Sequence, residues 1–202
     1  MKVLTLSRRT LTEYSHQLLS SVQNDDFKMD MVIGVATGGI YISKPIYAQL
    51  QTEQWQGKYH EVKLSRPSTH KKEALGVKKI LTKLPYFLSN ILRVLEVKYF
   101  EVSKSQHYDA NIEKRVRFSD AVTQDIKKSS SLLLVDDAID TGSTLLALKN
   151  VIQSLNPNIE IKLAVLTVTH HKPYIAPDYT LYKNVLLRCP WAMDYKGEDK
   201  ID

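Results

Sequence analysis

The sequence has 202 residues, a single cysteine (Cys189) and no long apolar run. One cysteine excludes an intrachain disulfide framework and a cysteine-based metal cluster, and this fits a reducing compartment. A bilayer span needs about 18 consecutive apolar residues, and none is present. The N-terminus MKVLTLSRRTLTEYS also lacks the apolar core of a signal peptide. These absences predict a cytoplasmic protein without a membrane segment.

Positive charge is in excess but is not concentrated anywhere. Lysine and arginine total 28 against 22 acidic residues, for a net charge of +6. The densest basic groups are RPSTHKK at residues 66–72 and the pair Lys78-Lys79. No aromatic platform is interleaved with them, and no helix-turn-helix, RNA-recognition or zinc-finger pattern occurs. We therefore expect no nucleic-acid partner, whereas a basic surface suits small polyphosphorylated ligands.

Helical and extended patterns alternate along the chain, which has the size and the 43% hydrophobic content of one domain, residues 1–202. A capping box, Thr10 with Glu13, predicts a surface helix with the apolar stripe Leu11, Tyr14, Leu18 and Val22. Apolar runs without helical period predict strands at residues 31–36, 59–64, 98–102, 114–118, 132–135 and 159–168. Helical periodicity predicts helices at residues 40–51, 81–96 and 143–155. Such an alternation is typical of a parallel sheet covered on both faces, with ligands at the carboxyl ends of the strands.

The stretch LLLVDDAIDTGSTL, residues 132–145, follows a predicted central strand with acidic and then hydroxyl residues. Residues 141–144 lead into a helix N-terminus, where backbone N–H groups and three hydroxyl groups meet the positive end of the helix dipole. Gly142 lets the backbone approach a ligand closely. This loop is suited to a phosphate monoester.

Three aspartates precede that loop. Asp136 and Asp137 are acceptors suited to a vicinal diol or to the shell of a hard cation. A phosphate and a diol together describe a phosphorylated ribose. Asp140 would then lie beside the anomeric carbon of the sugar, where a carboxylate can accept a proton. An acidic turn with an N-capping hydroxyl is the alternative interpretation of the same residues.

The whole run from the strand to the helix resembles the signature of type I phosphoribosyltransferases, which bind 5-phosphoribosyl 1-diphosphate (PRPP). The resemblance extends over residues 30–195. GVATGGIYISKPI, residues 34–46, is similar to the first loop of the family, with Thr37 and Gly38 where backbone N–H groups meet pyrophosphate. Residues 105–112 match in place the mobile loop that closes over the active site in this family.

The resemblance implies an α/β fold with a central, mostly parallel sheet flanked by helices, a small hood and a helical insert. It also implies Mg²⁺-dependent transfer of a phosphoribosyl group to an acceptor, with release of pyrophosphate. Asp140 would be the catalytic base, and Asp136 and Asp137 would hold both the ribose and the metal. The implied PRPP-binding residues are Thr37, Gly38, Asp136, Asp137, Thr141, Gly142, Ser143 and Thr144.

The acceptor side resembles the bacterial xanthine-guanine branch of the family. In THHKPYIAPDY, residues 169–179, Lys172 matches a lysine that donates to the exocyclic oxygen of a purine. In CPWAMDY, the Pro-Trp pair matches, and Asp194 is the carboxylate nearest to the branch's acid, which adds it to the implied metal ligands. Where the branch has a stacking aromatic, this chain has Leu186, followed by Leu187, so a base would bind without aromatic stacking.

Two regions differ from a minimal member of the family. Residues 57–96 form an insert that could be a hood over the acceptor or a dimer surface, and residues 170–202 are expected to form the C-terminal hood, loosely attached after Trp191. We expect a homodimer or a higher homo-oligomer. A 6-oxopurine is the preferred acceptor, and two alternatives stay open. One is a transferase for a different acceptor, and the other is a regulatory protein that senses PRPP.

Overall fold

Parallel strands dominate the part of the chain that the computed structural model describes, which is residues 1–63, 84–103 and 110–201. The strands described are β1 Lys2–Thr5, β2 Met31–Val35, β3 Lys58–Val62, β4 Ser131–Ile139, β5 Glu160–Val168, β6 Tyr179–Lys183 and β7 Val185–Arg188. Five of them form the main sheet in the order β3-β2-β4-β5-β6, and every neighbouring pair is parallel. The predicted α/β fold with a parallel central sheet is confirmed.

Helices cover both faces of this sheet. The α-helices described are α1 Arg8–Asn24, α2 Gly38–Thr52, α3 Tyr86–Ser103, α4 Asp120–Lys128 and α5 Ser143–Leu155. Successive strand residues point to opposite faces. Ile33 therefore packs in the apolar cluster that contains α4 and α5, and Val32 packs in the cluster that contains α1 and α2. Both faces of the central strands are apolar, which explains their unbroken hydrophobic runs.

Helix α1 begins earlier than the predicted capping box. Its N-cap is Ser7, whose hydroxyl accepts a hydrogen bond from the backbone N–H of Thr10 at 3.1 Å. The prediction of Thr10 as the cap is therefore wrong. Ser7 is the N-cap because its backbone is extended where the chain leaves β1, and an N-cap residue needs such a non-helical backbone. The apolar stripe is placed as predicted, with Leu11, Leu18 and Val22 buried.

Two predicted strands are absent from the positions where the sequence suggested them. Residues 98–102 continue helix α3 to Ser103, and residues 110–115 form a 3-10 helix followed by irregular chain over residues 116–119. The aromatic and β-branched residues of these segments favoured strands. The strand propensity of residues 98–102 did not decide their structure. Extending the existing helix α3 adds one hydrogen bond per residue, whereas a new strand needs a neighbouring strand to pair with.

Only parts of two further predicted segments can be compared with the structure. The insert predicted over residues 57–96 contains β3 and most of α3, and its residues 64–83 lie outside the described residues. Of the closing loop predicted over residues 105–112, residues 105–109 lie outside the described residues. Residues 110–112 belong to the 3-10 helix. The boundary of the single domain stays a prediction.

A second, smaller unit is built from both ends of the chain. Strands β1 and β7 pair in parallel, with Val3 opposite Leu186. The tail after Trp191 is firmly packed, which corrects the prediction of a loose attachment. Asp194 and Tyr195 are 4% and 5% exposed, and Arg8 binds the tail through Asp199. Because β6 belongs to the main sheet, the predicted hood of residues 170–202 is divided between the two sheets.

The outer face of α3 is apolar and exposed. Its exposed residues are Phe87, Leu88, Ile91, Leu92 and Leu95, with Phe87 at 70%. The helical period predicted for this segment is thus confirmed, but the stripe faces outward in the single chain. None of the helices within the described ranges is long and apolar enough to cross a membrane. The homo-oligomer and the cytoplasmic location stay predictions.

Candidate active site

The candidate site lies where the order of the strands reverses. After β2 the chain moves outward to the edge strand β3, and it then returns to the other side of β2 as β4. The carboxyl ends of β2 and β4 are neighbours, and the loops that follow them diverge on opposite sides of the sheet. Crevices at such switch points are the usual ligand sites of parallel α/β sheets.

The loop after β2 packs directly onto the end of β4. A Cβ atom added at Gly38 would lie 2.2 Å from Cγ of Asp137, and one added at Gly39 would lie 2.4 Å from the carbonyl oxygen of Val135. A side chain at Gly38 would displace the carboxylate of Asp137, and one at Gly39 would press on the backbone of β4. Thr37, on the outer side of the turn, is exposed, and the Ala36–Thr37 peptide bond is cis. The structure therefore brings together the predicted pyrophosphate loop and the predicted ribose carboxylates.

The two carboxylates after β4 differ in their surroundings. Asp136 is 2% exposed, and its Oδ1 accepts a hydrogen bond from the backbone N–H of Asp137 at 2.9 Å. Asp137 is half-buried beside the glycine loop. Mg²⁺ commonly binds through one or two carboxylates and completes its shell with water and substrate phosphates. This pair fits a metal shared with a phosphorylated substrate.

The predicted phosphate loop opens helix α5. Gly142 caps the helix with a φ of 79°, in the left-handed region that favours glycine. The hydroxyl oxygens of Thr141 and Ser143 are hydrogen-bonded at 2.9 Å. The first N–H groups of a helix have no partner within it, and here the N–H of Ser143 donates to the hydroxyl oxygen of Thr141 at 3.4 Å. Ser143 and Thr144 are half-buried. This geometry is suited to an anion, as predicted from the sequence.

Asp140 and the segment after β5 border this loop. Asp140 is exposed at the end of β4, two residues before Gly142. The backbone N–H of Tyr174 donates to the carbonyl oxygen of Thr141 at 2.8 Å, and Ile175 lies against Gly142. The segment that contains Lys172 is thereby held against the phosphate loop, with the lysine side chain exposed.

The smaller unit approaches the same region. Trp191 stacks on Tyr41 of α2, with ring centroids 4.7 Å apart and an interplanar angle of 15°. Burial, and then the charge of Asp137, raise the pKa of the Cys189 thiol, which follows β7 directly. Leu186 is buried and Leu187 is half-buried. As successive residues of β7 they point to opposite faces, and Leu187 packs in the same apolar cluster as Trp191.

Comparison with known families decides the identity. The sequence profile of the phosphoribosyl transferase domain matches residues 80–193, which is more than half of the chain. The chain belongs to this family. No curated protein shows significant similarity to the sequence. Together with the fold, the family match identifies an enzyme, a phosphoribosyltransferase.

Solved structures share the fold of this phosphoribosyltransferase at low sequence identity. The purine phosphoribosyltransferase of Pyrococcus horikoshii is 16% identical, with 93% of this chain and 94% of that chain covered and a TM-score of 0.52. The xanthine-guanine-hypoxanthine phosphoribosyltransferase of Helicobacter pylori is 14% identical, with coverages of 92% and 91% and a TM-score of 0.51. A hypothetical protein of Neisseria gonorrhoeae with bound ppGpp is 13% identical, with coverages of 94% and 89% and a TM-score of 0.56. These three likenesses show that the chain shares their fold over most of its length.

Asp194 of the phosphoribosyltransferase has partners other than a metal. Its Oδ2 accepts hydrogen bonds from Nε of Arg93 at 3.0 Å and from Nε of Arg188 at 2.9 Å, and its Oδ1 accepts one from Nη2 of Arg93. Within the described ranges, no three His, Cys, Asp or Glu side chains form a group that could hold a metal. Asp194 therefore does not complete a three-carboxylate site with Asp136 and Asp137.

The arginines and Tyr41 are residues that reasoning from the sequence missed. One signal was present for Arg188, because a lone arginine ends the apolar strand VLLR just before CPW. Charged residues are almost never fully buried unless they are paired, so a buried partner acid could have been expected. No local signal marks Arg93, which lies about a hundred residues from its partner in the sequence.

The Asp194 cluster predicts a change of stability in acid. Burial alone would raise the pKa of Asp194, but the hydrogen bonds and charges of Arg93 and Arg188 outweigh it and lower the pKa from 3.8 to about 2. A lowered folded-state pKa stabilises the protein above the unfolded value, here by about 2 kcal/mol, and this stabilisation is lost as the pH falls from about 4 to about 2. Urea unfolding in that range should show a shallower decline in the free energy of unfolding for Asp194→Asn than for the wild type. Parallel declines would contradict the assigned pairing.

Proposed function

We propose that the protein transfers the phosphoribosyl group of PRPP to a 6-oxopurine and releases pyrophosphate, in the presence of Mg²⁺. One observation carries the proposal. The glycine loop after β2 lies against Asp137, and the phosphate loop begins four residues after Asp137, at Thr141. A pyrophosphate site, a diol site and a phosphate site thus lie in the order in which PRPP presents these groups.

Each part of the donor has a matching group of residues in this proposal. The loop of Thr141, Gly142, Ser143 and Thr144 anchors the 5′-phosphate through backbone N–H groups and hydroxyls. Asp136 and Asp137 accept hydrogen bonds from the ribose hydroxyls and would hold Mg²⁺ together with the substrate. Thr37 and Gly38 meet the pyrophosphate. When bound, Mg²⁺ would neutralise charge on the diphosphate.

In the proposed reaction the protein forms no covalent bond with the substrates. The bond between the anomeric carbon and the pyrophosphate oxygen breaks, and a bond from that carbon to a nitrogen of the base forms. Asp140 takes the proton that this nitrogen loses. Most of the rate then comes from holding donor and acceptor in line and from fixed dipoles around the developing charge, which can each contribute several kcal/mol.

Lys172 is the proposed determinant of the acceptor. Its ammonium group would donate to the 6-oxo group of guanine, xanthine or hypoxanthine. Adenine carries an amino group at this position, so two donors would face each other without an acceptor. An unpaired buried group costs about 1–3 kcal/mol, which corresponds to about a tenfold to hundredfold preference for 6-oxopurines.

Lys172→Met should narrow this preference, because methionine keeps the length of the side chain and loses its proton donors. The ratio of kcat/KM for guanine and adenine measures the effect, and PRPP affinity should stay at the wild-type value. Lys128→Met, on the exposed end of α4, is the matched control. An unchanged ranking of bases in Lys172→Met would exclude Lys172 as the determinant.

A pyrophosphate-release assay with PRPP, Mg²⁺ and a panel of purines, pyrimidines and amines tests the proposed function. Release with 6-oxopurines is the expected result. Release with another acceptor alone would favour the alternative of a transferase with a non-purine or modified acceptor. PRPP binding without release for any acceptor would favour a PRPP-sensing regulatory protein.

A further inference from the structure

Arg188 carries a charge at the centre of the smaller unit. Its side chain is 1% exposed, and it is among the largest fully buried side chains of the described chain. Taking a guanidinium out of water is costly unless it is paired and its donors are satisfied. Arg188 lies in the sequence between the predicted acceptor contacts and Trp191. The cost of burying its charge there must be offset by the contacts that it makes.

The donors of Arg188 reach three separate segments. Nε donates to Asp194 in the tail, and Nη1 donates to the hydroxyl of Thr5 in β1 at 3.0 Å. Nη2 donates to the hydroxyl of Ser89 at 2.8 Å and to the amide oxygen of Asn90 at 2.7 Å, both in α3. The guanidinium also lies 4.3 Å from the ring centroid of Tyr86. This single side chain therefore fixes β1, α3 and the tail to β7.

Arg93 completes the cluster from the inner face of α3. Besides its two bonds to Asp194, its Nη1 donates to the carbonyl oxygen of Leu187 at 3.2 Å. Both oxygens of Asp194 are thus bound by guanidinium groups. Arg93 also binds the backbone of Leu187, a residue predicted to contact the base. Guanidinium groups paired with a buried carboxylate are strong and geometrically specific contacts.

The chain between Arg188 and Asp194 leads to the donor site. Trp191 stacks on Tyr41, which lies in the first turn of α2. That helix starts at Gly38, against Asp137. The short chain between Arg188 and Asp194 therefore connects the arginine cluster, through the stack of Trp191 on Tyr41, to the loop proposed for pyrophosphate.

We propose that Arg93, Arg188 and Asp194 form a positioning clamp that aligns an acceptor wall of Leu187 and Trp191, which belong to one apolar cluster, with the donor loops. In this clamp Asp194 is a positioning residue and does not bind the metal. The proposal rests on the proposed function, since it assumes that the acceptor binds at this wall. The clamp itself touches neither PRPP nor the base.

Kinetics of Arg93→Met separate positioning from other roles. Arg93 is the more exposed arginine, at 26%, and its loss should be better tolerated than that of Arg188. We expect the KM for the acceptor base to rise about tenfold, the loss expected for a hydrogen bond to a charged group, with the PRPP dissociation constant and kcat within about twofold of the wild type. Arg93→Lys should recover part of the effect. Arg9→Met, which removes an exposed arginine of the i,i+4 pair with Glu13, is the matched control.

Mg²⁺ dependence tests the role assigned to Asp194. In Asp194→Asn the Mg²⁺ concentration for half-maximal activity should stay within about twofold of the wild type, whereas loss of a metal-binding contact shifts affinity by about tenfold or more. A shift of that size, or an acceptor KM unchanged in both Arg93→Met and Asp194→Asn, would overturn the clamp.

A fluorescence readout tests the clamp even if the proposed function fails. The chain has two tryptophans, so Trp55→Phe leaves Trp191 as the only tryptophan, and excitation on the long-wavelength side of tyrosine absorption selects its emission. In this background Arg93→Met and Asp194→Asn should shift the emission of Trp191 to longer wavelength, because the stack on Tyr41 loosens. An unchanged spectrum in both would contradict the clamp. Absence of PRPP binding in the wild type would instead contradict the proposed function.

Discussion

Asp140→Asn is expected to lower turnover by roughly two or more orders of magnitude while PRPP affinity stays within about tenfold of the wild type, as for loss of a general base. The reason lies in its position. Asp140 is exposed directly after β4, between the buried Asp136 and the phosphate loop, and the proposed phosphate contacts are made by groups other than this carboxylate. Asparagine keeps the size of the side chain and loses its ability to accept a proton. Single-turnover kinetics with saturating PRPP would measure the step.

Two results would change the role of Asp140. Equal losses of PRPP binding and turnover would make it a ribose or structural ligand, and near wild-type turnover would remove it from the reaction. Asp26→Asn serves as a control, since Asp26 is an exposed aspartate in the turn after α1 and asparagine tolerates its φ of 52°.

Gly142→Val is expected to abolish PRPP binding, a loss of more than about a hundredfold. A β-branched residue at a φ of 79° is strongly disfavoured, so the loop must move. A Cβ atom would also press on Ile175 at 3.1 to 3.4 Å. Both effects turn the first N–H groups of α5 away from the position that a phosphate would occupy. Calorimetry with PRPP and Mg²⁺ measures the loss.

Gly142→Asn is the informative comparison, because asparagine adopts a left-handed backbone at less cost than valine. If the conformation of the loop decides binding, the asparagine variant should retain more PRPP affinity than the valine variant. Circular dichroism would verify that both variants remain folded. Wild-type affinity in Gly142→Val would show that this loop does not hold the phosphate.

Local signals in the sequence were sufficient for the centre of the fold. The unbroken apolar runs of β2 and β4 follow from burial on both faces, and α5 was predicted with the bounds that the structure has, residues 143–155. The glycines that follow β2 were correctly placed between a strand and a helix, but the structure includes Gly38 and Gly39 in the first turn of α2, which begins two residues before the predicted start at residue 40. These features depend on neighbours a few residues apart, which a single sequence records.

Long-range contacts were not accessible in the same way. The pairing of β1 with β7 joins residues that are more than 180 apart, and the arginine cluster brings Thr5, Arg93 and Asp194 together from three segments. A hydroxyl or a charge carries no local sign of its distant partner. For this reason Asp194 could be read as a metal ligand, although its oxygens are bound by two arginines. The prediction of strands at residues 98–102 and 114–118 was wrong because strand propensity alone does not form a strand without a neighbouring strand to pair with.

Calorimetric titration of the wild-type protein with PRPP, in the presence and absence of Mg²⁺, tests the central claim most directly. The account predicts saturable binding at one site per chain that is strengthened by Mg²⁺ and lost in Gly142→Val. No binding of PRPP under either condition would contradict the assignment of the loops after β2 and β4 as a PRPP site.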